Sequence, residues 1–160
     1  MAPHLLIIWH SRTGSSEALA RAAYNSAGRS VQLIAAEAID PEDLLDAAGY
    51  LFVCPENLAS MSGMMKEMFD RCYYPVLGQI EGRPYASIIT AGSDGEGAQR
   101  QIDRIATGWR LRRVAEPIIV LTHAQTAEKI LARKVLTGEQ LRQAEEIGAA
   151  LSRGVADGIF

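Results

Sequence analysis

The first feature with chemical potential is a hydroxyl-rich loop near the amino terminus, in which residues 10–17 read His-Ser-Arg-Thr-Gly-Ser-Ser-Glu. The loop follows a short apolar run and precedes a helical pattern. Its backbone N–H groups would therefore lie at a helix N-terminus, which carries a partial positive charge. Hydroxyl donors and a closely approaching glycine backbone favour a phosphate site there. The residues that would form it are Ser11, Arg12, Thr13, Gly14, Ser15 and Ser16.

The alternative for this loop is that Ser15 or Ser16 only caps the helix. The hydroxyls are more numerous than one cap requires, which favours the anion site. Neither the G-x-x-x-x-G-K-[ST] pattern nor the G-x-G-x-x-G pattern occurs in the loop. Because the loop contains no lysine, we expect a phosphate held mostly by neutral donors. Arg12 either adds charge to the site or points to solvent.

A second candidate loop, residues 55–63, reads Pro-Glu-Asn-Leu-Ala-Ser-Met-Ser-Gly. Pro55 is expected to end the preceding strand. Asn57 and Ser62 offer hydrogen bonds, and Met61 offers a soft apolar surface. Core packing is the alternative for the methionines that follow in this region. The loop is therefore a candidate binding surface for a ligand that is partly apolar.

A third candidate loop, residues 91–97, has three glycines within six positions. Glycine allows backbone groups to face a flat ligand closely, although a flexible turn is the alternative. Ser93 lies outside any G-x-S-x-G elbow, and no acid–histidine pair is placed to activate it. No side chain is therefore predicted to act as a catalytic acid, base or nucleophile.

Strands and helices alternate along the chain and would position these loops. Five short apolar runs stand out, and most are nearly continuous, as is typical of a parallel sheet covered on both faces. They begin at Leu5, Val31, Tyr50, Ala86 and Pro117. The alternation predicts a doubly wound α/β domain spanning residues 1–160. In such a fold the ligand lies beyond the carboxyl ends of the strands, where the loops after strands one, three and four meet.

The helical segments are marked by apolar stripes and by caps. Met61, Met64, Met65, Met68, Phe69 and Cys72 are spaced as one helical stripe. Asp40-Pro41 predicts the start of a short helix, and Thr137 followed by Gln140 predicts a capping box. Residues 123–136 are either a separate helix or an extension of the last one. Whether His123 reaches the site is left open.

Composition narrows the classes of function. Sixteen Lys and Arg against nineteen Asp and Glu give a net charge of −3, which disfavours nucleic-acid and anionic-membrane partners. No apolar run is long enough for a membrane span, and no secretory leader is recognisable. Cys54 and Cys72 fit no disulfide framework or zinc pattern, so we expect reduced thiols, a cytoplasmic location and no metal site.

Taken together, the three loops resemble those of the flavodoxin-like superfamily, specifically its NAD(P)H-dependent FMN reductases and quinone reductases. Ser11-x-Thr13-Gly14-x-Ser16 resembles the phosphate loop of this family. The segment from Pro55 to Asn57, with Met61-Ser62-Gly63 and Phe69-Asp70-Arg71, is similar to the second flavin loop and its helix. Thr90-Ala91-Gly92-Ser93, with Gly95 and Gly97, is similar to the third loop. The resemblance extends over the whole chain and implies a five-stranded parallel sheet of order 2-1-3-4-5.

The resemblance also implies an FMN site. Residues 11–16 would hold the phosphate. The border of the flavin ring would be formed by Pro55, Glu56, Asn57, Met61, Ser62 and Gly63. The pyrimidine edge of the ring would face Gly92, Ser93, Gly95 and Gly97. NADPH or NADH would reduce the flavin, which would pass a hydride to a quinone or a free flavin. Such reductases are often homodimers or homotetramers, and Tyr73-Tyr74-Pro75 is a candidate contact surface, with local packing as the alternative.

One departure from the family separates the alternatives. Electron-carrier flavodoxins often sandwich the ring between aromatic side chains of the second and third loops. Neither loop of this chain contains Trp, Tyr or Phe, and Leu58 and Ala59 stand where relatives often carry aromatics. An open ring face favours an oxidoreductase. The alternatives are an electron carrier and a flavodoxin-like domain that has lost FMN.

Overall fold

The structure, a computed structural model, describes residues 2–160. Its parallel sheet has the predicted order, with β2-β1-β3-β5 hydrogen-bonded in sequence and the fifth position shared by β6 and β7, which both pair with β5. A short β4 pairs antiparallel with the end of β3. The strands are β1 (Leu5–Trp9), β2 (Val31–Ala35), β3 (Gly49–Asn57), β4 (Ser60–Met61), β5 (Pro84–Ala91), β6 (Arg112–Arg113) and β7 (Ile118–Leu121).

Helices cover both faces of this sheet. They are α1 (Ser15–Ser26), α2 (Pro41–Asp46), α3 (Gly63–Val76), α4 (Glu96–Gly108), α5 (Ala127–Leu131) and α6 (Gly138–Asp157). The continuous apolar character of β1 follows from this covering. Leu6 and Ile8 pack into the core beneath α3 and α4, whereas Leu5 and Ile7 pack into the core beneath α1 and α6. The α/β doubly wound prediction is confirmed.

Both predicted helix starts are confirmed. The Asp43 carboxylate accepts a 2.8 Å hydrogen bond from the backbone N–H of Asp40, and Pro41 is the first residue of α2. Thr137 and Gln140 form the capping box of α6. Residues 123–136 hold a separate short helix, α5, which settles the alternative left open by the sequence.

Two local predictions were wrong. Pro55 does not end its strand, because β3 continues to Asn57, and the Pro55 carbonyl accepts a 3.0 Å hydrogen bond from the Ser62 N–H. Met61 and Met64 do not belong to the buried stripe of α3. Met61 lies buried in β4, and Met64 faces solvent at 39% exposure. The buried stripe therefore begins at Met65.

None of the helices within residues 2–160 combines the length and the hydropathy needed to cross a membrane. The same residues contain no group of three or more His, Cys, Asp or Glu side chains that could hold a metal ion.

Candidate functional site

The three predicted loops meet at the carboxyl edge of the sheet, and hydrogen bonds join them. Ser16 Oγ lies 2.8 Å from Thr90 Oγ1, which ties the first turn of α1 to the end of β5. His10 Nδ1 lies 2.9 Å from Ser62 Oγ, which ties the end of β1 to the start of α3. The loops after β1, β3 and β5 are thus held together by the protein's own contacts.

The N-terminus of α1 is open to an anion. Gly14 is its N-cap, with φ of 100°, and provides no side chain to accept from the first-turn N–H groups. The Gly14 N–H donates to Ser11 Oγ at 3.1 Å, which fixes the turn. Helix α4 differs, because the Glu56 carboxylate accepts hydrogen bonds from the N–H groups of Gly95 and Ala98. Of these two helices, α1 keeps more of its first-turn donors free for a ligand.

Among the hydroxyl residues of the loop, Ser15 has a defined position on the wall of a cleft. Its residue is only 5% exposed, yet among residues 2–160 its hydroxyl has no hydrogen-bond partner. Because this hydroxyl opens onto a cleft and is not sealed from solvent, it is free to donate to a ligand there. Ser15 lines a cleft of about 60 Å³. The cleft wall consists of Thr13, Ser15, Pro55, Glu56, Asn57, Thr90, Ala91, Gly92, Thr122, Ala124, Ile130 and Lys134.

Six of the sixteen predicted site residues line this cleft, namely Thr13, Ser15, Pro55, Glu56, Asn57 and Gly92. The others lie around it. Gly14 and Ser16 are buried behind the loop, Ser11 is half-buried and Arg12 is exposed. Met61 and Ser62 are buried in the β3–β4 connection to α3, whereas Gly63 and Ser93 are exposed. Gly95 and Gly97 belong to the start of α4, where Gly97 packs against the backbone of Ala59.

The β3–β4 hairpin at the mouth of the cleft is strained. Its two-residue turn consists of Leu58 and Ala59, with φ of 52° and 66°. Turns with positive φ at both central positions strongly prefer Asn-Gly, because larger side chains clash there. Leu58 is fully exposed at the tip. Backbone strain of this kind is common at ligand sites.

A segment that the sequence analysis did not assign to the site closes the other side of the cleft. We call residues 123–136, between β7 and α6, the strap. Its first N–H, at His123, donates to the Gly92 carbonyl at 2.9 Å. Near its end, the Lys134 N–H donates to the Thr13 carbonyl at 2.8 Å, so the strap is bonded to the first and third loops together.

The strap brings two cations to the start of α1. The Lys134 ammonium donates to the carbonyls of Ile130 and Ala132 at 2.8 and 2.7 Å, and lies 3.5 Å from Thr13 Oγ1. A Cβ built on Gly14 would lie 2.7 Å from Arg133 Cζ, so the guanidinium rests on the turn itself. The ion pairs within residues 2–160 include neither cation.

Sequence reasoning missed the strap residues because nothing local marks them. Lys134 and Thr13 are 121 residues apart, and Ile130 belongs to a helix of five residues. Thr122, also missed, had a usable signal: it follows β7 directly at the carboxyl edge of the sheet. The expectation that a phosphate is held mostly by neutral donors stays a prediction, and the strap adds two cations beside the loop.

Burial shifts two titratable groups around the site. Desolvation lowers the pKa of His10, opposed by the Glu37 carboxylate and assisted by the Arg12 guanidinium. His10 is therefore held neutral more strongly than an exposed histidine. Desolvation also raises the pKa of the Cys54 thiol to about 12, which leaves this cysteine unreactive in the folded chain.

Solved structures share this architecture. A flavodoxin from the domain Archaea matches with a TM-score of 0.77 and 17% identity, over 95% of this chain and 98% of that one. A WrbA-like flavodoxin from Agrobacterium tumefaciens gives 0.76 and 13%, over 98% and 99%. The rubredoxin oxygen:oxidoreductase from Desulfovibrio gigas gives 0.77 and 16%, over 99% of this chain but 38% of that larger protein. At these identities the likeness concerns the fold.

The fold and its converging loops define a flavodoxin-like α/β protein. The family model for NADPH-dependent FMN reductase matches residues 36–126, which is more than half of the chain. The chain therefore belongs to the NADPH-dependent FMN reductase family. No curated protein sequence matches it significantly.

Proposed function

We propose that this chain is an FMN-dependent oxidoreductase that takes a hydride from NADPH or NADH and passes it to a quinone or a free flavin. The observation that carries the proposal is the uncapped N-terminus of α1, beside which the Ser15 hydroxyl opens onto the cleft without a hydrogen-bond partner within residues 2–160. Family membership supplies the identity of the group that this site would bind.

The residues of the site fit the phosphate end of FMN. The first-turn N–H groups of α1 and the Ser15 hydroxyl can each donate a hydrogen bond to a ligand, and a phosphomonoester offers several acceptor oxygens. The cleft of about 60 Å³ is smaller than the ~300–1,000 Å³ typical of ligand pockets. We therefore place the phosphate inside it and the ring at its mouth, against the β3–β4 hairpin and the Gly92–Gly97 loop.

When bound, FMN supplies the hydride chemistry, and the protein supplies placement. The 55–63 and 91–97 loops, which would border the ring, carry no aromatic side chain. One ring face would then be open to a nicotinamide or a quinone. The Gly95 and Ala98 N–H groups are already bonded to Glu56, so the ring edge would depend on the remaining N–H groups of the 91–97 loop. No side chain is assigned as a catalytic acid or base.

The same proposal covers the rest of the molecule. It takes residues 1–160 as one flavodoxin-like domain, in the cytoplasm, and as a homodimer or homotetramer. Tyr74 is 78% exposed near the end of α3 and is available for such a contact. Tyr73 instead stacks on Trp109, with ring centroids 5.7 Å apart, which is local packing.

The test is steady-state oxidation of NADPH and of NADH by the FMN-loaded chain, with benzoquinone or free riboflavin as acceptor. Saturable turnover with ping-pong kinetics is expected. No turnover with FMN bound would contradict the proposal, and reduction in two well-separated one-electron steps would favour an electron carrier. A chain that takes up no FMN would favour the domain that has lost it.

A further inference from the structure

Arg133 and Lys134 hold positive charge where the fold already concentrates it. The N-terminus of α1 carries about half a positive charge, and the two strap cations lie beside it with no carboxylate partner among residues 2–160. The nearest acceptors of the Lys134 ammonium are neutral oxygens of Ile130, Ala132 and Thr13. These oxygens solvate the ammonium but do not neutralise it, so an anion in the cleft would supply the charge pairing that they lack.

We propose that Lys134 and Arg133 form an anion clamp for the phosphate of FMN. This inference rests on the proposed function and adds to it the residues that supply charge to the phosphate. The loop itself presents neutral donors, Ser15 Oγ and the first-turn N–H groups of α1. The strap, bonded to Thr13 through the Lys134 N–H, places a cation at the rim of the same cleft.

The two cations have separate positions in the clamp. Lys134 is half-buried and lines the cleft wall beside Thr13 and Ser15. Arg133 is exposed and covers Gly14 from outside. Charge-assisted hydrogen bonds are stronger where solvent is excluded. We therefore expect Lys134 to contribute more than Arg133 to the affinity for FMN.

The decisive comparison is between FMN and riboflavin, which share a ring and differ in the phosphate. Dissociation constants are measured by fluorescence titration of the apoprotein for wild type, Lys134→Met, Lys134→Arg and Arg133→Met. Lys129→Met is the matched control, since Lys129 lies exposed on the same strap and its side chain makes no hydrogen bond within residues 2–160. The titrations are repeated at low and high salt.

Lys134→Met is expected to weaken FMN binding about tenfold or more and to leave riboflavin binding unchanged. Arg133→Met is expected to have a smaller effect of the same kind. Lys134→Arg should recover part of the FMN affinity, and Lys129→Met should behave as wild type. The preference for FMN over riboflavin should decrease at high salt in the wild type and change less in Lys134→Met.

Five results would overturn the clamp. Unchanged FMN affinity in both Lys134→Met and Arg133→Met removes its basis. An equal loss of affinity for FMN and riboflavin would show that the two residues have a structural role. Tighter FMN binding in the variants would show that the strap obstructs the site. A higher KM for NADPH but not NADH in Lys134→Met, with FMN affinity intact, assigns the cation to the nicotinamide's phosphate. Wild-type chain that binds neither flavin defeats the proposed function itself, and the clamp with it.

Discussion

Gly14 shows how one residue keeps the N-terminus of α1 open. Its φ of 100° lies in the left-handed region, and it offers no side chain to cap the helix. An added Cβ would also meet the Arg133 guanidinium at 2.7 Å. Both the backbone conformation and the close Arg133 side chain therefore favour glycine at position 14.

We predict that Gly14→Ala lowers both stability and FMN affinity. Backbone strain should cost about 1–2 kcal/mol of unfolding free energy, and the displaced Arg133 should weaken flavin binding. The control is Gly28→Ala, which has φ of 78° but no atom within 4 Å of its added Cβ. Urea unfolding should show similar losses for both, and flavin titration a loss for Gly14→Ala alone. Equal flavin affinity in the two variants would contradict the prediction.

His10 predicts a pH dependence of stability. Burial lowers its pKa in the folded chain, so the unfolded chain binds more protons as the pH falls below the unperturbed value of about 6.5. The contribution of His10 to stability is then fully present above that pH and is lost as the pH falls below it, through the lowered pKa of the folded chain. His10→Asn, which can retain the contact with Ser62, should make the urea midpoint less sensitive between pH 7.5 and 5.5. An identical sensitivity in both proteins would show that other groups titrate.

At the scale of elements, α1 is positioned from behind by α6. Gly148 of α6 is buried against Ala23 of α1, and an added Cβ would lie 2.3 Å from the Ala23 carbonyl oxygen. Ser152 Oγ donates to the Ala27 carbonyl at the end of α1. Because backbone atoms cannot move as freely as side chains, this contact fixes the distance between the two helices.

Gly148→Ala is therefore predicted to destabilise the chain by about 1–3 kcal/mol. Gly138→Ala, in the first turn of the same helix, meets nothing within 4 Å and should be neutral or stabilising by up to about 1 kcal/mol, because alanine favours helix. Thermal unfolding of the two variants gives the comparison. If both were stabilised, the helices would have to separate without cost, and the packing argument would be wrong.

The elements were predictable from sequence where burial dictated their composition. Each continuous apolar run became a strand, because both faces of the sheet are covered. The β4 hairpin was not predictable, since its turn is Leu58-Ala59 rather than a sequence that favours positive φ. Pro55 misled for a related reason: strand β3 continues through it, although proline lacks the N–H of a ladder.

The candidate site was predictable only in part. Its three loops follow strands, and the rule for parallel sheets brings such loops to one edge. The charge around the cleft was not predictable, because Lys134 reaches Thr13 across 121 residues through an irregular strap. Similarly, the role of Glu56 as an acceptor for α4 depends on a contact 39 residues distant, with Gly95. Local patterns carry no information about either pairing.

At the scale of the whole molecule, the two thiols report on how cooperatively the chain opens. Cys54 and Cys72 are both fully buried in the core beneath α3 and α4. Burial raises the pKa of Cys54 to about 12 and also raises that of Cys72. A thiol reagent needs an accessible thiolate, so neither cysteine should react until this core opens.

We predict that both thiols react together and that FMN slows them. A ligand that binds only the folded chain reduces the open population in proportion to its saturation, so the reaction rate should fall as FMN is added. At increasing urea, each protein thiolate forms a mixed disulfide with a chromogenic disulfide reagent, and the coloured thiolate that leaves is measured. Cys54→Ala and Cys72→Ala assign each thiol. Riboflavin and FMN at equal saturation should protect equally if opening is global. Rapid reaction of one thiol without urea, unaffected by FMN, would instead locate a local opening, because that part of the core would then separate from the sheet independently of the flavin loops.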